Sequence, residues 1–170
     1  MLKQLQKRKA ETGFTIIEVL VVLAIAGLIM VVVFLAVPAL QRSGRNNALN
    51  TSANNILAAV GNYVTNNGGS LPAAQAAGAP SGGSVTVGSS GNTETAKVDS
   101  GVATLQIDAG ATPITTASAI GTMEVVTGTK AACNSTNTAL NGLSTASARS
   151  YVILFVAESG SGNILKCVGA

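Results

Sequence analysis

From Phe14 to Leu40 the chain reads FTIIEVLVVLAIAGLIMVVVFLAVPAL, an apolar run with a single charge, Glu18. As a helix rising 1.5 Å per residue, this run spans about 40 Å, more than the roughly 30 Å hydrocarbon core of a bilayer. The segment can therefore cross a membrane. A secretory signal peptide shares the basic start, but its apolar region is only about 7–15 residues long and ends at a small-residue site. The run here is too long for that. A plain N-terminal anchor fits everything except the carboxylate at the fifth position of the run, so Glu18 is the feature to explain.

The 170 residues, 16.8 kDa, suit one small domain once this segment is set aside. Hydrophobic residues make up 47% of the chain and charged ones only 10%, so the apolar content is concentrated rather than spread. The net charge of +3 resides wholly in the first thirteen residues, where Lys3, Lys7, Arg8 and Lys9 oppose Glu11; the remainder sums to zero. No basic patch exists to hold a phosphate backbone, which excludes nucleic acid as a charge-recruited partner. Four cations precede the run and only Arg42 and Arg45 follow it closely, so the positive-inside tendency leaves the start in the cytoplasm and residues beyond about 41 outside.

Histidine is absent, which removes the commonest general base and metal ligand. GTMEVVTGTK lacks the P-loop spacing, and no GxSxG, HExxH or paired-carboxylate constellation occurs. The expectation is a protein that is not an enzyme and holds neither cofactor nor metal. Cys133 and Cys167 are too few for a four-thiolate site and too far apart for a CxxC motif. In an extracytoplasmic compartment they can pair; the alternative is two buried free thiols.

After the apolar run, Leu49, Ser52, Ala53, Ile56, Leu57, Val60, Tyr63 and Val64 recur at helical spacing with asparagines largely between them, an amphipathic pattern. Prolines in membrane helices are often absorbed as kinks, so one bent helix is expected from about Thr15 to Asn66, through Pro38. Asn66-Asn67-Gly68-Gly69 closes it, and Leu71 to Gly83 reads as a surface connection. Strands are expected at Val85–Val87, Thr95–Val98, Val102–Ile107 and Thr122–Thr127. Asp99-Ser100-Gly101 reads as a three-residue hairpin turn with Gly at the left-handed position. Asp99 and Asp108 read as turn residues rather than calcium ligands, and Pro113 to Ala119 as a short helical turn. Ser150–Glu158 and Ile164–Val168, around Ser159-Gly160-Ser161-Gly162, predict a terminal hairpin. Its first arm is apolar on both faces and should be central, one face on the amphipathic helix and the other under loops. Cys167 on the last strand would then clip back to Cys133, a cross-link contributing on the order of 3–4 kcal/mol in the chain-entropy model. Asn50-Thr51-Ser52 and Asn134-Ser135-Thr136 are glycosylation sequons of the kind expected by chance in so Asn- and Thr-rich a chain. The fold class is α+β: a long N-terminal helix, half transmembrane and half amphipathic, on a small antiparallel sheet.

Gly13-Phe14-Thr15-Ile16-Ile17-Glu18-Val19-Leu20, behind a short basic leader and ahead of the apolar run, resembles the class III signal of type IV prepilins and the related pseudopilins. The strict motif covers 20–30 residues, and the helix, sheet and late cysteine pair extend a looser resemblance over the rest. It implies a leader, 1–13, removed by a membrane prepilin peptidase after Gly13, and methylation of the new amine of Phe14. It further implies an assembly helix at 14–40, an amphipathic helix at 41–66 and a β-rich extracytoplasmic head at 67–170. The implied partners are the peptidase, a pilus assembly platform, the membrane before assembly and other copies of this chain in a homopolymeric fibre outside the cell. Glu18 would be the assembly carboxylate. An unpaired carboxylate in an apolar bundle is expensive, its own chain offers no partner, and a cleaved neighbour would offer the Phe14 ammonium at one axial offset only. From spacing alone, snorkelling to the interface serves Glu18 equally well. Pro38 lies later than the kinking proline of many pilins, and the aromatics are too few for a conducting path. The resemblance implies a pilus subunit for adhesion, motility or DNA uptake; a secretion pseudopilin or minor tip subunit, and a membrane-anchored binding module that never polymerises, are the alternatives.

Overall fold

A computed structural model of the chain describes residues 13–88, 91–108, 114–115, 117–129, 131–133, 143–144 and 147–169. The basic leader positions 1–12, Pro113 and the sequon at Asn134 lie outside the described residues. The chain divides into two units, Met1–Leu40 and Gln41–Ala170. One helix, α1 (Ile16–Asn66), supplies residues to both. Pro38 lies inside α1 without ending it, although its missing N–H leaves the Phe34 carbonyl without the usual helical donor. Within the first unit the apolar part of α1 has a window of mean hydropathy 3.3, none of it buried.

The helix ends where the backbone turns left-handed. Gly68 and Gly69 take φ of 63° and 86°, values that glycine adopts without a Cβ penalty. The Gly69 N–H donates to the Val64 carbonyl at 2.8 Å, the six-residue closure that satisfies a last-turn acceptor.

In the second unit the sheet order is β1-β4-β5-β8-β9: β1 Gln75–Gly78, β4 Thr104–Asp108, β5 Thr122–Thr127, β8 Tyr151–Ser159 and β9 Gly162–Gly169. Two ribbons accompany it, β2 (Ser84–Val87) with β3 (Glu94–Lys97), and the short β6 (Ala132–Cys133) with β7 (Leu143–Ser144). Alternation sorts the sheet into two faces. Leu105, Ile107, Met123, Val125, Ile153, Phe155 and Ala157 form one core with Leu49, Ala53, Ile56 and Val60 of α1 and with Val85, Val87 and Ala96 of the first ribbon. Val126, Val152, Leu154 and Val156 form the opposite core with Ile114 and Ala131. The terminal arm β8, between β5 and β9, is thus buried on both faces, the helix on one and connecting segments on the other.

Three local expectations change. The stretch read as a surface connection contains the edge strand β1, which pairs with β4 through an irregular register. β4 and β5 run parallel, Leu105 beside Met123 and Ile107 beside Val125, within an otherwise antiparallel sheet. Asp99–Gly101 joins strands of two different sheets, so it closes no hairpin, and Gly101 keeps an ordinary φ. The turn is held instead by Asp99: its Oδ1 accepts from the Gly101 N–H at 3.1 Å, its carbonyl from the Val102 N–H at 3.1 Å, and its N–H donates to buried Ser52 Oγ on α1 at 2.9 Å. Of the short helical turn expected at Pro113 to Ala119, the described residues show a turn closed by the Ser118 N–H on the Thr115 carbonyl at 2.9 Å.

Candidate functional site

The sequence determines where α1 begins. Thr15 is the last residue before Ile16, and its Oγ1 accepts the Glu18 N–H at 3.3 Å. The Glu18 Oε2 in turn accepts the Thr15 N–H at 3.3 Å and the Thr15 hydroxyl at 3.0 Å. This is a capping box: a threonine before the helix and a glutamate three residues on satisfy each other's backbone donors. The first carbonyl drawn into the helical ladder is that of Thr15, which accepts the Val19 N–H at 3.3 Å. Gly13 and Phe14 therefore lie ahead of the helix in irregular, exposed backbone.

The box corrects one expectation. Glu18 has a hydrogen-bonding partner in its own chain, in the first turn, where the helix dipole favours negative charge. What it lacks among the described residues is a cation, since the ion pair described there joins Arg45 to Glu158. The T-x-x-E spacing was the available signal, and the apolar run around it drew attention to the charge alone. Phe14 and Glu18 also border one shallow apolar depression of about 190 Å³ with Val19, Val22 and Leu23.

The other singled-out residues belong to the second unit. Cys133 on β6 and Cys167 on β9 are bonded through their sulfurs, with Cα atoms 5.7 Å apart, and pack beside Leu165 on the core face turned away from α1. Two features had gone unread. Asn46 on α1 mimics a strand edge: its Nδ2 donates to the Glu158 carbonyl at 2.8 Å and its Oδ1 accepts the Glu158 N–H at 3.0 Å, while Arg45 meets the Glu158 carboxylate at 2.5 Å. The partners are 112 and 113 residues apart, and nothing local marks them. Glu124, fully buried on β5, accepts the Ile114 N–H at 2.5 Å and so ties down the segment before β5; the alternation in TMEVVT turns it away from Met123 and Val125, onto a face that reads as outward but is covered by the second core. Among the described residues no group of three or more His, Cys, Asp or Glu is placed to hold a metal.

A helix start capped by a carboxylate, with an exposed apolar stretch of helix beyond it, fits a membrane-anchored precursor. Residues 8–34 match the family model described as the prokaryotic N-terminal methylation motif, the class III signal of type IV pilins. The motif and the apolar helix fit a type IV pilin-like or pseudopilin precursor with a membrane anchor. No curated protein and no solved structure matches the chain at a significant level.

Proposed function

We propose that this chain is the structural subunit of a type IV pilus fibre, cut between Gly13 and Phe14, methylated at the Phe14 amine and polymerised through α1. Hydrolysis of that bond would leave a carboxylate on Gly13 and a new amine on Phe14, four residues from the Glu18 carboxylate. The observation that carries the reading is this conjunction: a processing motif at the start of a helix whose apolar part is exposed among the described residues. Such a helix is satisfied by lipid before assembly and by copies of itself afterwards, because each environment buries the same side chains.

In a neighbour's bundle Glu18 would meet the ammonium of Phe14 at one axial offset, which sets the register of addition. The disulfide on the far core of the second unit supports an exported head. Shearing fibres from the cell surface and identifying their dominant subunit tests the proposal. Long fibres built of this chain support it. Trace amounts at the tip of another protein's fibre would make it a minor subunit, and surface protein with no fibre at all a plain anchor.

A further inference from the structure

The capping box contains two separable devices. The Glu18 carboxylate reaches back to Thr15, whereas the Thr15 hydroxyl, by accepting the Glu18 N–H, decides where the helix stops. With Thr15 as cap, the first helical acceptor is its own carbonyl, so the carbonyls of Gly13 and Phe14 receive no helical N–H.

We propose that Thr15 is a positioning residue for leader removal: its hydroxyl holds the Gly13–Phe14 bond outside the helix, where a peptidase meets it as extended backbone. The inference rests on the cleavage reading above. Without the cap the helix start has one favourable direction to move. Downstream, fraying would open amides within the apolar run, where lipid offers no replacement hydrogen bonds. Upstream, Thr12 is the next residue of capping type. A start at Thr12 would engage the Gly13 carbonyl with the Ile17 N–H and the Phe14 carbonyl with the Glu18 N–H. The scissile carbonyl would then be turned along the helix axis and already hydrogen-bonded, and a peptidase would have to unwind it first.

The test measures initial rates at which a prepilin peptidase releases product beginning at Phe14 from the full-length chain in detergent, for wild type and for Thr15→Ser, Thr15→Asp, Thr15→Ala and Thr15→Val. Ser and Asp cap helices and should be cut within about twofold of wild type, whereas Ala and Val should be cut about fivefold more slowly, the factor that one N-cap typically contributes. In the same micelles, backbone chemical shifts of residues 12–15 should become helical in the Ala and Val variants alone. Glu18→Ala, which keeps the hydroxyl cap, should be cut at close to the wild-type rate. The proposal is overturned if Val is cut like wild type, if Ser and Asp are as slow as Ala, or if the shifts do not move. If wild type itself is not cut after Gly13, the cleavage reading falls and this inference with it.

Discussion

At the scale of single residues, Glu18 would enter the proposed assembly already oriented. Its carboxylate is held by the Thr15 N–H and hydroxyl in the first turn of α1, so part of what it loses on leaving water is replaced before a neighbour arrives. Those bonds do not neutralise its charge, and a buried unpaired carboxylate remains costly. Glu18→Gln and Glu18→Ala are therefore expected to be inserted and cleaved but to assemble poorly, read as sheared fibre against the processed membrane pool in cells lacking the wild-type subunit. Gln can still accept from Thr15, so equal failure of the two variants assigns the effect to charge, while normal assembly of Gln alone assigns it to hydrogen bonding or shape. The sequence pointed to Gly13, Phe14 and Glu18 because each is unusual where it stands. Thr15 was overlooked because a threonine before a helix is ordinary, although its spacing from Glu18 is that of a capping box.

At the scale of elements, the β8–β9 hairpin is fastened twice: to β6 through Cys133–Cys167 and to α1 through Asn46 and Arg45. Replacing either cysteine with Ser should lower the yield of folded subunit, the cross-link contributing on the order of 3–4 kcal/mol for a loop of this length. Thiol labelling of the unreduced, denatured wild type should be negligible. Asn46→Ala leaves the Glu158 N–H and carbonyl without their side-chain partner and should cost about 1–3 kcal/mol, read from the denaturant midpoint in detergent. Elements with strong periodicity were legible in the sequence: the stripe Leu49, Ser52, Ala53, Ile56 and Val60 on α1, the double-sided apolar run of β8 and the glycine closure after Asn66. β1 was not, because QAAG carries no alternation and becomes a strand only by pairing with β4. The parallel pairing of β4 with β5 was hidden for a related reason, since strand direction is not written in the strands' own residues. Asp99 misled because a turn-forming Asp and Gly look alike whether they close one hairpin or pass between two sheets.

At the scale of the whole molecule, charge and hydrophobicity are divided along the chain so that one cut changes its fate. The leader carries all the net positive charge, which by the positive-inside tendency would keep the start on the cytoplasmic side, while the remainder is neutral. A chain that keeps its leader is accordingly expected to stay in the membrane pool, since four cations would have to enter the apolar core of any bundle. Cut as proposed, the chain would present an exposed apolar helix with an amine at its tip and a carboxylate one turn inside, groups that a second copy would pair across a bundle. The central claim is therefore carried by the state of one terminus. N-terminal peptide mass spectrometry of material sheared from the cell surface reads it directly. The account predicts a first peptide beginning at Phe14 with an N-methylated amine, and surface protein that still begins at Met1 would contradict it.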